Sequence, residues 1–191
     1  MEQRIAEDGS PPNARAGWSP QDRWHIPIRD SRWTLADAVM SMGAFDKKAR
    51  STPVHRRRSH DYVHVLLGRG LLPKDKAFVT GFIMGSSQQM GYVDAPYRTQ
   101  EAERLYRGNV WFGLEEHTVF EDAVRLGFTA HCAGLTGVDW AYYADRALKD
   151  VRAVLGINDG ELLAYYSIEG PRYPDAQESL RLLDTQACIP H

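Results

Sequence analysis

The 191-residue chain contains only two cysteines, Cys132 and Cys188. Two thiols build neither a disulfide framework nor a four-thiolate zinc site, and such sparse use fits a reducing compartment. An excess of one charge is also missing: 23 Lys and Arg stand against 25 Asp and Glu, for a net charge of -2. Without a basic excess there is no electrostatic footprint for DNA or RNA, so no nucleic-acid partner is expected. No apolar run reaches the roughly 18 residues that a membrane span requires, and the first residues lack the apolar stretch of a secretory signal. The expected location is cytoplasmic, in solution or peripheral to a membrane surface. Internal repeats and low-complexity blocks are lacking as well. Hydrophobic residues make up 43% and charged residues 25%, which places the chain among ordinary globular proteins with room for one core.

What is present reads as helices. Residues 1–30 hold four of the ten prolines (Pro11, Pro12, Pro20 and Pro27) and few apolar residues, and are expected to form a flexible tail that Trp18, Trp24 and Ile26 can pin to the body. Order is expected from Trp33, because Thr34-Leu35-Ala36-Asp37 has the form of a capping box and Leu35, Val39 and Met42 follow at helical spacing. Further helices are expected over 54–67 with Gly68 as the stop, over 74–90 behind Pro73, and over 98–106 after a loop at 91–97. Another should cover 114–126 and end at Gly127, and the next, capped by Asp145 and closed by Gly156, turns Leu148, Val151 and Leu155 inward. Residues 162–168 have the β-branched and aromatic content of a strand, and 174–185 the pattern of a last amphipathic helix. The expected architecture is all-α: a helical bundle with a short irregular C-terminal region. It divides into a tail (1–30), a helical domain (31–157) and a C-terminal extension (158–191).

The sharpest chemical signal is Ser59-His60-Asp61-Tyr62-Val63-His64. Histidines four apart lie on one helical face a turn from each other, so both imidazoles can address one ion. Asp61 is rotated by roughly 100° from His60, given about 3.6 residues per turn, and can complete a site at the edge of that face or orient a histidine. Nitrogen and oxygen donors of this kind suit zinc, iron, cobalt or manganese better than calcium. The plainer alternative is a polar, solvated helix face. Other candidates are weaker. Glu115-Glu116-His117 can supply a base but reads first as a surface helix, and His131-Cys132 lacks a second pair. Arg56-Arg57-Arg58 can attract an anionic lipid surface. Gly68-x-Gly70 follows no strand and is no dinucleotide fingerprint. A phosphohydrolase built on the His-Asp doublet would need His55 and Asp94 in register, and nothing marks them.

His60-Asp61-Tyr62-Val63-His64, followed by Val65-Leu66-Leu67-Gly68, resembles the metal motif of the Coq4 family of ubiquinone-biosynthesis proteins, which reads His-Asp-x-x-His and, after eleven residues, Glu. A second stretch is similar to that family's closing segment: a helix ending in Leu126-Gly127, then Trp140, then Val151-Arg152-Ala153-Val154-Leu155-Gly156-Ile157. The likeness covers about residues 33–157. It implies an all-α dimer at a membrane surface that binds a prenylated aromatic or isoprenoid lipid, alone or with other quinone-biosynthesis proteins. It also implies a divalent metal on His60, Asp61 and His64, serving oxidative decarboxylation and hydroxylation at ring carbon 1 of a prenylated 4-hydroxybenzoate-type precursor. Phe78, Phe82, Ile83 and Met84, with Gly81 and Gly85, offer a wall for the prenyl tail or, more simply, bundle core. The pattern departs at its glutamate, whose position holds Lys76. An ammonium about 4 Å from a divalent cation is repelled by several kcal/mol and cannot stand in for a ligand. Three outcomes stay open: Asp75 swings in as the fourth ligand, water fills the open position, or the metal is lost. In the last case the chain is a noncatalytic lipid-binding or scaffold protein.

Overall fold

A computed structural model describes residues 26–28, 33–45, 59–87 and 113–183. They form α1 (Leu35–Phe45), α2 (Ser59–Leu66), α3 (Pro73–Ser86), α4 (Leu114–Thr129), α5 (Trp140–Tyr143), α6 (Leu148–Leu155), α7 (Asp159–Arg172) and α8 (Gln177–Leu183), with a 3-10 turn at Leu135–Gly137. Among the described residues there is no strand, only an isolated bridge between Thr34 and Ala147. The all-α class expected from the sequence holds. The expected loop at 91–97, the helix over 98–106, the basic run Arg56-Arg57-Arg58, His55, Asp94 and Cys188 lie outside the described residues.

Local signals account for most helix ends. Thr34 caps α1 as expected: its Oγ1 accepts the Asp37 amide at 3.1 Å, and its hydroxyl donates to the Asp37 carboxylate at 2.8 Å. Backbone bonds from Leu35 N to Arg146 O (2.9 Å) and from Leu148 N to Trp33 O (3.1 Å) then tie the starts of α1 and α6 together. Gly68 and Gly156 terminate α2 and α6 in the left-handed region, at φ +64° and +76°. The first residue of α3 is Pro73, where a missing amide costs nothing, and the Asp75 carboxylate accepts the Leu72 amide at 3.1 Å. One cap differs from expectation: Ala147, not Asp145, flanks α6.

Two expectations fail, each for a physical reason. Gly127 does not end α4, which runs on to Thr129. Its role is close approach: a Cβ there would lie 2.4 Å from the Phe82 carbonyl oxygen, and Cβ atoms on Gly81 and Gly85 would lie 2.4 and 2.1 Å from those of Phe120 and Val124. These glycines let the backbones of α3 and α4 touch. Phe78 and Phe82 are fully buried core residues and the glycines of α3 face α4, whereas Ile83 and Met84 are half-buried.

The second failure is at 162–168, which is helix rather than strand, within a C-terminal region that is helical over Asp159–Arg172 and Gln177–Leu183 instead of irregular. Asn158 nucleates α7 by accepting the Gly160 and Glu161 amides, and Leu162, Tyr166, Glu169 and Gly170 then recur on one buried face. Aromatic content suggested a strand, but the helical period decides. At the other end, Ile26 and Ile28 are each 3% exposed and belong to the core, the docking that Ile26 suggested for part of the tail.

The α3–α4 contact predicts its own weak point. Gly85→Ala should destabilise the fold by about 3 kcal/mol, because the methyl must push two backbones apart and not merely displace a side chain. Urea unfolding monitored by far-UV circular dichroism measures this; a change below about 0.5 kcal/mol, the usual range of a neutral surface substitution, would contradict the crossing described.

Candidate functional site

Helix α2 carries the two histidines, and its C-terminal end is fixed from three directions. The Arg69 amide donates to the His64 carbonyl (2.9 Å), the Tyr166 hydroxyl to that of Leu67, and the Arg152 guanidinium to that of Leu66 (3.3 Å). These are the carbonyls that a helix end leaves without intrahelical partners, and cationic donors there also oppose the helix dipole. Arg152 also donates to the Ile28 carbonyl at 2.7 Å and pairs with Asp159 at 2.6 Å while 1% exposed. On another side Trp140 stacks on Tyr62, rings 5.2 Å apart and 3° from parallel. Both stretches that carry the family resemblance therefore meet at α2, through Tyr62–Trp140 and Leu66–Arg152.

His60 and His64 come together as their spacing requires, with ring centroids 4.6 Å apart in an edge-to-face arrangement. His64 is 2% exposed and bonded to the Gly70 backbone, and its Nδ1 is buried with no hydrogen-bond partner. Burial first, and His60 second, push its imidazole down from 6.5 to about 3, against the opposing pull of Asp75. His64 is thus neutral at pH 7, the form in which imidazole ligates a metal.

The rest of the expected donor set is not assembled. Asp61 lies beside His60 on α2 and is half-buried. Asp75, in the first turn of α3, lies within the electrostatic reach of His64, but its carboxylate is engaged elsewhere: Oδ2 accepts the Leu72 amide and the Arg181 guanidinium, and Oδ1 lies 3.9 Å from Arg69. Burial opposes its charge, yet Arg181 and then Arg69 outweigh burial and hold the carboxyl below its ordinary value. Among the described residues no group of three or more His, Cys, Asp or Glu side chains is gathered as a metal would need. Two imidazoles fall short of the three protein ligands of a catalytic zinc site, and Lys76 adds its positive charge to the surroundings of His64. In this arrangement the residues do not fit a resident divalent cation.

What sequence reading missed is a network of buried charge behind the histidines. Arg69, 0% exposed, forms a bidentate pair with Glu169 of α7, one arm at 2.8 Å. Its guanidinium lies 3.9 Å from the centre of the Phe78 ring and 4.4 Å from that of Tyr166. Burial disfavours its charge, but Glu169 overrides burial and the arginine stays protonated. In the first turn of α3, Lys74 reaches Glu115 (2.9 Å) and Glu116 (3.1 Å) of α4, while its amide donates to Glu178 of α8. Glu115 is exposed, as expected of a solvated face, and still pairs with Lys74, while the half-buried Glu116 also caps the Gly113 amide at 2.8 Å. His131 is exposed and Cys132 buried, so these neighbours form no joint site. No local signal announces these ion pairs, whose partners lie 42 residues apart for Lys74–Glu116 and 100 for Arg69–Glu169. Set against known proteins, the chain matches no family model, no curated protein and no solved structure.

Two predictions follow the chemistry of this cluster. Glu169→Ala strands the Arg69 charge in the core and should cost about 3–5 kcal/mol in urea unfolding, whereas Arg69→Met combined with Glu169→Leu should recover most of that loss. Equal losses in the single and double variants would show that the pair is incidental. His64 titrates near 6.5 unfolded but only near 3 folded, so the unfolded chain takes up its proton first as pH falls. Its contribution is present above pH 6.5 and is lost progressively down to about pH 3. Between pH 6.5 and 5 the wild type should lose about 2 kcal/mol more stability than His64→Leu. Identical pH profiles would rule out a neutral buried His64.

Proposed function

We propose that the chain is a noncatalytic prenyl-lipid-binding or scaffold protein of a quinone-biosynthesis assembly, the kind of role its Coq4-like motifs leave open once the metal is gone. One observation carries this reading. Asp75, the carboxylate best placed by spacing to replace the missing glutamate, is held by Arg181 and Arg69, while the glutamate position itself holds Lys76. With Asp75 held in this way and an ammonium at the glutamate position, the imidazole pair lacks an anionic donor from α3. The protein then works by binding, as a homodimer that meets its water-insoluble ligand from a membrane surface. Among the described residues no helix is long and apolar enough to cross a membrane. Since α4 covers the glycines of α3, the prenyl tail has to be held somewhere other than on that face.

A second reading, the metal-dependent oxidative decarboxylation and hydroxylation of a prenylated aromatic acid, is favoured by the neutral His64 with its buried, unbonded Nδ1 beside His60. There His60, Asp61 and His64 would hold the ion, and zinc, iron, cobalt and manganese are the chemical choices.

The two readings differ in what the purified protein contains. Elemental analysis of the full chain and of His60→Ala, together with mass spectrometry of the organic extract, should show a prenylated lipid and metal well below one equivalent. Stoichiometric metal in the wild type that disappears in His60→Ala would overturn the binding-protein reading in favour of the enzyme.

A further inference from the structure

Helix α8 is held differently from the rest of the core. Among its described side chains, Glu178, Ser179, Arg181 and Leu182 are buried, and only the last of these is apolar. Two polar atoms of this helix have no partner: the Ser179 hydroxyl, on a residue with 0% exposure, and Gln177 Oε1 are both buried and unbonded. A polar group buried without a hydrogen bond loses its hydration and regains nothing. The charged groups pull in opposite directions. Arg181 pairs with Asp75 in the first turn of α3. The Glu178 carboxylate accepts the Lys74 amide at 3.1 Å, but the Lys74 ammonium reaches Glu115 and Glu116 instead. Burial first, and the charge of Asp75 second, raise the Glu178 carboxyl above its ordinary value, so docking carries a carboxylate into surroundings that resist it.

We propose that α8 is a strap that opens and closes as a unit about the exposed turn Pro174-Asp175, held shut by Arg181 and Leu182 and kept near release by the burial of Gln177, Glu178 and Ser179, while the rest of the core stays folded. The turn is placed for this. Before it, the Tyr173 amide bonds to the Glu169 carbonyl (3.2 Å), and Glu169 itself is fixed by Arg69, so α7 stays in position. After it, the Ala176 amide is bonded only within the turn, to the Tyr173 carbonyl (3.0 Å). Pro174 and Asp175 are exposed, so movement there disturbs no buried contact. Buried ion pairs specify place more than they add net stability, and an element docked largely through them lies at the low end of the range of local opening. Opening uncovers Asp75 and the Lys74 amide at the start of α3 together with the seat of Leu182, and leaves Arg69–Glu169 intact on the α7 side of the turn. The inference goes beyond either reading of the function and depends on neither.

A thiol at position 179 reports the opening, because a side chain with no exposure meets a reagent only when the strap lifts. The full chain carrying Ser179→Cys and Cys188→Ser is treated with iodoacetamide and the label located by peptide mass spectrometry, with the buried Cys132 as the standard for opening of the core. The introduced thiol should react at least about tenfold faster than Cys132, with an unchanged far-UV circular dichroism spectrum. Adding Arg181→Gln should speed its labelling by about tenfold. Adding Glu178→Gln, which keeps an acceptor for the Lys74 amide and removes the buried charge, should slow it by about fivefold. Labelling of Cys132 should move in neither case. Should Arg181→Gln fail to fold, Glu178→Gln decides alone, since a slower strap over an unchanged core is expected only if Glu178 opposes docking. Equal rates at the two thiols would show that α8 opens only with the core, and faster labelling with Glu178→Gln would make Glu178 a clasp; either result overturns the strap. So does a thiol as reactive as free cysteine and unmoved by both substitutions, because α8 is then never closed.

Discussion

The ion pair between Arg69 and Glu169 is the contact on which the rest of the molecule turns. A guanidinium with no solvent exposure is tolerable only if its charge is answered in place. Here a bidentate carboxylate does so, with Phe78 and Tyr166 on its faces. That requirement fixes geometry over a wide area. Arg69 follows the turn that closes α2, so its amide completes the end of the histidine helix while its side chain pins α7. The aromatic rings that flank it belong to α3 and α7. A single residue thereby sets the spacing between three helices, and the position of His64 follows from it.

Charge in this interior is arranged as a chain of unequal bonds. Arg69–Glu169 and Arg152–Asp159 hold structural elements together on fixed partners. The Asp75–Arg181 pair joins the start of α3 to the last helix of the described chain. Buried ion pairs are poor sources of net stability, since desolvation offsets much of their attraction, but they are demanding about partner and place. The network is therefore better understood as fixing which carboxylate faces which cation than as a store of folding energy.

How much of this was visible in the sequence depends on how local the cause is. The α1 capping box, Pro73 at the start of α3, the glycine stops at 68 and 156 and the meeting of His60 with His64 all depend on residues within one or two turns, and all were readable. Gly127 was misread because a glycine near a helix end carries the same letter whether it reverses the chain or admits a neighbouring backbone; only the Phe82 carbonyl on α3 tells the two apart. Residues 162–168 were misread because the aromatic content of Tyr165 and Tyr166 outweighed the helical recurrence of Leu162, Tyr166 and Gly170. The charge network was beyond reach altogether. Arg69 and Glu169 are a hundred positions apart, and each alone looks like an ordinary surface residue. Pairing spacing with family likeness brought Asp75 to notice, but its partner Arg181 lies outside the stretch that carries the likeness.

Arg152 reaches back 124 positions to the Ile28 carbonyl. On a ribosome the chain is made from its N-terminus, so Ile26 and Ile28 emerge long before the guanidinium and the helix that receive them. Gly68, which lies against both isoleucines, emerges much sooner, but the Ile28 carbonyl gains its cationic donor only after Arg152 has been synthesised. Contacts between distant positions also slow folding, because the intervening loop must close before they contribute. The same bond that locks the finished structure is thus a contact that the nascent chain can form only late in its synthesis.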